Sequence, residues 1–233
     1  MTSMFAEAIH VGGPELLVER RRTAVTEDEA PAEAVFPSSG RPRGLSLISL
    51  RVTRNWDGLW GLLGRRDQIY FMTVAFDLSG RAPIVLPPEQ VPDQAIYRVR
   101  RGETISFTLG DGSPVYPPHV LKGGLMVYLV VCDADQGTRH VGEVMAKVHA
   151  DLTKGGSLTD TLMALIKNPT STVVDEVLRA ATAALLPIAT ILQSQGDEFV
   201  GVFSGIYPAK GPWKGKLAAT QNGTEIELRE LRG

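Results

Sequence analysis

Leu125-Met126-Val127-Tyr128-Leu129-Val130-Val131-Cys132 is a continuous apolar run, the pattern of a strand covered on both of its faces rather than on one. The segments around it also read as β. Leu45 to Thr53 (LSLISLRVT) alternates apolar and polar residues at period two, and Ile69 to Phe76 (IYFMTVAF) is rich in aromatic and β-branched residues before Asp77–Gly80 closes it. Ile84–Leu86, Ile96–Val99 and Thr104–Leu109 are short strands between turns that carry proline and glycine. His140–Val148, Phe199–Ile206 and Thr224–Leu231 complete the set, the last after an Asn222-Gly223 turn. Helical signals come late. Ser157–Lys167 ends at Asn168-Pro169, and a second helix is predicted from Thr172, which has the spacing of a capping pair with Asp175. Val174, Val177, Leu178, Ala181, Leu185, Ile188 and Leu192 then follow a 3.6-residue period as far as Gln195, with Pro187 expected to kink it. No internal repeat is visible. The reading is mainly β: about eight antiparallel strands in a sandwich, with a helical insertion over about residues 157–195 before the last two strands.

Composition bounds the function. The 233 residues allow one large domain with an appendage. With 24 basic and 26 acidic residues the net charge is −2, which gives no global electrostatic case for nucleic acid. Cys132 is the single cysteine, so no intramolecular disulfide can form. The start MTSMFAEAIHVGG lacks the basic and apolar regions of a signal peptide, and no apolar stretch has the length of a membrane span; a cytoplasmic protein, peripheral to membrane at most, is the expectation. Residues 1–43 read as an arm and linker. Thr26–Gly44 mixes acid, proline, serine and glycine without a period, and Arg20–Arg22 is a short basic run. Residues 44–233 read as the folded domain.

The chemistry-bearing segment follows the apolar run: Cys132-Asp133-Ala134-Asp135-Gln136-Gly137-Thr138-Arg139-His140 places two aspartates one residue apart where the strand ends. Upstream, Arg65-Arg66-Asp67-Gln68-Ile69-Tyr70-Phe71 sets another aspartate directly before a core strand. Together these pieces resemble the C2 domain family, in which an Asp-x-Asp loop and an Asp-Pro-Tyr strand start lie at one end of a β-sandwich. The resemblance covers about Leu45 to the C-terminus and implies a C2-like eight-stranded antiparallel sandwich. It also implies a Ca²⁺ site, because that ion takes six to eight oxygen ligands, largely from carboxylates. By the resemblance, Asp67 matches the aspartate before the tyrosine-containing strand, Asp133 and Asp135 match the loop pair, and Asp57 stands for the first-loop aspartate. The chain departs from the pattern at Gln68, where the proline would be, and at Thr138–His140, where a further aspartate would be. Read from the residues alone, Asp133 and Asp135 equally end a strand, accept turn hydrogen bonds and face water.

The glycine-punctuated loop NWDGLWGLLG carries Trp56, Leu59, Trp60, Leu62 and Leu63. On an exposed tip these residues would enter a bilayer interface, where tryptophan is favoured; otherwise they pack on the sandwich or on another subunit. Arg98 and Arg100 share one face of their strand and could meet anionic headgroups or an acidic protein surface. No nucleophile elbow or phosphate-binding loop is present, and His119, His140, His149 and Cys132 lack a compact zinc spacing. The expected function is therefore non-catalytic: Ca²⁺-dependent docking to membrane lipid or to a protein partner. The alternative is a structural subunit of a larger assembly or homo-oligomer, using the sandwich as scaffold and the arm and the Thr172–Gln195 helix for contacts.

Overall fold

A computed structural model of the chain describes residues 9–11, 36–53, 67–86, 96–107, 112–133, 143, 146–147, 150, 198–213, 217–221 and 223–233. These residues form eleven strands: β1 (Ile9–Val11), β2 (Ser38–Val52), β3 (Asp67–Phe76), β4 (Ile84–Leu86), β5 (Ile96–Val99), β6 (Thr104–Ser106), β7 (Ser113–Lys122), β8 (Gly124–Asp133), β9 (Glu198–Pro208), β10 (Leu217–Gln221) and β11 (Thr224–Arg232). They make two sheets. The first has the order β1-β9-β8-β3-β4, with β5 also paired to β3; the second has the order β10-β11-β2-β6, with β7 also paired to β2. The described pairings are antiparallel except that of β1, which lies parallel to β9.

The core lies between the sheets and follows period two, with a change of phase in β2 between Leu47 and Leu50, where the ladder to β11 skips Ile48. Leu45, Leu47, Leu50 and Val52 of β2, with Ile226 and Leu228 of β11, belong to one cluster with Ile69 and Phe71 of β3, Leu125, Val127, Leu129 and Val131 of β8, and Phe203 and Tyr207 of β9. One seam is sealed by three rings. Phe71 stacks on Tyr97 at 5.9 Å between centroids, and Phe107 meets both edge-on at 5.6 and 5.4 Å. The two sheets differ on their outer faces. In β11 the residues between core positions, Glu225 and Glu227, are half-buried and Arg229 is exposed, the pattern of a one-sided sheet. In β8 every residue is buried, as the apolar run predicts.

Seven of the nine strands read from sequence match a described strand, overrunning it by one residue at most, and Thr104–Leu109 begins one that ends sooner, at Ser106. His140–Val148 is a correction: Glu143, Ala146 and Lys147 within it have helical backbone, as does Ala150. Three strands escaped sequence reading. β1 is only three residues, and β10 (LAATQ) has little β-propensity and is held by its ladder to β11. β7 (SPVYPPHVLK) contains Pro114, Pro117 and Pro118, which a strand tolerates at an edge, and among the described residues β7 pairs with β2 alone. Consequently three strands, not two, follow the predicted insertion. Ser38–Arg43, assigned by sequence to the linker, are the first residues of β2. The predicted helices Ser157–Lys167 and Thr172–Gln195 lie outside the described residues. Among those described, no helix is long and apolar enough to cross a membrane.

Burial raises the hydroxyl pKa of Tyr97, Tyr116 and Tyr207, and Tyr116 is raised further by the negative charge of Asp77. Unfolded tyrosine ionises near pH 10. Above that value the unfolded chain loses protons that the folded chain keeps, so stability is full below about pH 10 and falls as pH rises. Urea midpoints measured between about pH 9 and 12, with tyrosinate absorbance followed alongside, should show ionisation coinciding with loss of structure. Tyr207→Phe should flatten that fall without lowering neutral stability, since the Tyr207 hydroxyl is buried and finds no hydrogen-bond partner among the described residues.

Candidate functional site

The ladders bring two of the predicted acidic residues, Asp67 and Asp133, to one end of the first sheet, and add Glu198, which sequence reading did not single out. Asp67 opens β3, Asp133 closes β8 and Glu198 opens β9. Asp133 is the register partner of Glu198 on one side and of Ile69 on the other, with Asp67 two residues further along β3. Three carboxylate residues on three neighbouring strands thus terminate the same edge of the sandwich. Asp133 is 4% exposed. A carboxylate so buried requires polar partners, and Asp133 has a further interaction of its own. Asp57 and Asp135, and the loop residues Trp56, Leu59, Trp60, Leu62 and Leu63, lie outside the described residues. Both of their segments depart from this end, after Thr53 and after Asp133.

The turn between β5 and β6 stands at the same end, because Asp67 is paired with Val99. Arg98 and Arg100 are exposed and flank buried Val99, so they share the outer face as the strand period predicts. The Glu103 carboxylate accepts the Arg100 backbone N–H at 2.8 Å, and the Glu103 N–H donates to the Arg100 carbonyl at 2.9 Å. Arg101 Nε donates to the Thr53 carbonyl at 3.2 Å, and the Gly102 N–H donates to the Val52 carbonyl at 2.6 Å. The turn is thereby tied to the end of β2, and it holds basic side chains beside the acidic strand ends. Among the described residues, no group of three or more His, Cys, Asp or Glu could hold a metal ion.

None of the family models, curated proteins or solved structures compared with this chain matches it. The site's chemistry therefore rests on its own residues.

A second polar centre, absent from the sequence reading, occupies the opposite end. Asp77, 1% exposed, follows β3. Its Oδ1 accepts the Ser79 N–H and hydroxyl at 3.2 and 2.6 Å, and its Oδ2 accepts the Lys122 N–H of β7 at 3.0 Å. His119 Nδ1 lies 3.0 Å from the Pro117 carbonyl, which can only accept, so Nδ1 carries the proton. Nε2 lies 2.6 Å from the Tyr116 hydroxyl and 3.8 Å from Asp77 Oδ2. This cluster joins β3 of one sheet to β7 of the other. Beside it, Arg43 of β2 is 2% exposed. Its Nε donates to Glu230 Oε1 at 2.8 Å, its Nη1 to the carbonyls of Pro208 and Ala209 at 3.1 and 2.8 Å, and its guanidinium lies 4.2 Å above the Trp213 ring. Burial lowers the Arg43 pKa against the raising effect of Glu230. The contacts that join the strands, Asp77 to the Lys122 N–H and Arg43 to Glu230, Pro208 and Ala209, span 45 or more residues, so no local motif announces them. Arg43 Nη2 is buried without a hydrogen-bond partner among the described residues; the other polar atoms named here engage one another or the backbone, which makes the two clusters joints of the fold.

Proposed function

We propose that this protein is a non-catalytic, C2-like binding module whose working end is the acidic edge formed by β3, β8 and β9. The observation that supports this reading is the placement of Asp67 and Asp133 at the same end of paired strands, the arrangement the family resemblance implies. Carboxylates are hard oxygen donors suited to Ca²⁺, and Asp57 and Asp135 would complete the set from the two adjoining loops. A bound Ca²⁺ would supply positive charge at an otherwise acidic edge. Arg98, Arg100 and Arg101 then leave that end net attractive to anionic lipid headgroups, and Trp56 and Trp60 offer side chains suited to the bilayer interface.

Calorimetric titration of Ca²⁺ into metal-stripped protein is expected to give saturable heat, lost in Asp133→Asn/Asp135→Asn. Sedimentation with phosphatidylserine vesicles should become Ca²⁺-dependent and should weaken at least severalfold in Trp60→Ala. Absence of heat up to millimolar Ca²⁺ would remove the metal from the proposal. Vesicle binding indifferent to both Ca²⁺ and Trp60→Ala would remove the membrane.

A further inference from the structure

The first sheet has a second apolar face. Core residues of β3, β8 and β9 alternate with a set that belongs to the opposite surface, and the ladders align this set in rows across the three strands. Val74, Tyr128 and Ser204 form one row; Met72, Val130 and Val202 form the next. Their exposures are 1, 4 and 6% in the first and 1, 1 and 1% in the second. The neighbouring pair Tyr70 and Cys132 is equally buried, at 0 and 1%. This is burial within a single chain, so the cover is part of the chain itself. The described strands of the second sheet lie on the other side, against the core face, and do not provide it.

We infer that the segment between β8 and β9, residues 134–197, covers this face and makes the protein three-layered. Four observations converge on that occupant. The segment leaves β8 at Asp133 and re-enters β9 at Glu198, which are register partners within the two strands that bear most of the face. Adjacent antiparallel strands need only a short hairpin, so the excursion serves something other than connection. Glu143, Ala146, Lys147 and Ala150 have helical backbone at i, i+3, i+4 and i+7; three are exposed and Ala146 is half-buried, which makes one water-facing stripe. Finally, Val174, Val177, Leu178, Ala181, Leu185 and Ile188 supply an apolar stripe at helical spacing. A helix over Thr172–Gln195 would be about 36 Å long, against about 33 Å for the ten residues of β8. Of the other long segments outside the strands, residues 12–35 have no apolar period to offer, and residues 54–66, which do carry apolar side chains, join β2 to β3 at the acidic end of the sheet.

Cys132, the single cysteine, lies on this face and reports on it. In the full chain its thiol is expected to resist a maleimide under native conditions. Leu178→Asp/Leu185→Asp should accelerate labelling at least tenfold while far-ultraviolet circular dichroism retains the β signal. Continued protection in a folded double variant would overturn the inference. Should that variant fail to fold, a photo-crosslinking benzoylphenylalanine at Val202 in the otherwise native chain decides. Crosslinks to peptides within residues 134–197 of the same chain support the inference; crosslinks to residues 12–35 or 54–66, or between two copies, overturn it.

Discussion

Arg43→Ala is expected to destabilise the protein by about 3–5 kcal/mol, the range for removing one member of a buried ion pair. The guanidinium serves Glu230, the carbonyls of Pro208 and Ala209, and the face of Trp213 at once. Truncation strands the Ala209 carbonyl and leaves a void over Trp213, while Pro208 keeps the Trp213 Nε1–H at 2.8 Å. Among the described residues, Glu230 then keeps only an exposed contact with Arg232, at 3.2 Å. Arg43→Lys should recover little, because an ammonium has neither the planar fork nor the stacking surface. Arg43→Met/Glu230→Met should lose clearly less than Arg43→Ala, since both charges leave together. Urea denaturation of the parent and the three variants measures the ordering. A loss below about 1 kcal/mol for Arg43→Ala, the scale of an exposed pair, would show that the cluster does not hold the sheets together.

Gly44→Ala, one residue along, should cost about 3 kcal/mol by another mechanism, at the upper end of overpacking effects. A Cβ there would stand 2.7 Å from Pro118 N and 2.9 Å from the Pro117 carbonyl carbon, and closer still to the Tyr116 carbonyl oxygen. All three are backbone atoms of β7 and cannot swing aside as a side chain would. The strand must move, at the irregular step where the register shifts between Arg43/His119 and Leu45/Tyr116. Gly40→Ala provides the contrast. Nothing lies within 4 Å of its added Cβ, but φ is +68°, so only the left-handed cost of about 1–2 kcal/mol applies. Thermal denaturation of both variants separates the two mechanisms. Equal shifts would mean that β7 yields to Gly44→Ala.

What sequence conveyed and what it hid follow from the range of the interactions. Leu45–Thr53, Ile69–Phe76 and Leu125–Cys132 were legible because each strand writes its own period, and the apolar run even announced the doubly buried β8. Asp67 and Asp133 were legible as strand ends, and pairing of β3 with β8 brings them to one edge. The Arg43–Glu230 pair joins residues 187 positions apart, and His119 acts through neighbours that carry no motif. β7 was hidden by its prolines and β10 by its alanines. At His140–Val148 a short alternation reads as a strand although Glu143, Ala146 and Lys147 are helical, because a few residues fit either period.

The ladder between β2 and β11 has a consequence for how the chain is made. Arg43 pairs with Arg232 and Val52 with Thr224, so an early strand has its partner near the opposite terminus. At about 5–20 residues per second, a ribosome needs on the order of 10–40 seconds to deliver the 187 residues between Arg43 and Glu230. Throughout that interval β2, the fifteen-residue centre of its sheet, has an unsatisfied edge on the side that β11 will take. β7 arrives much earlier but pairs with the other edge of β2, where its prolines stop a further strand from joining, so the edge that waits for β11 is the one left open.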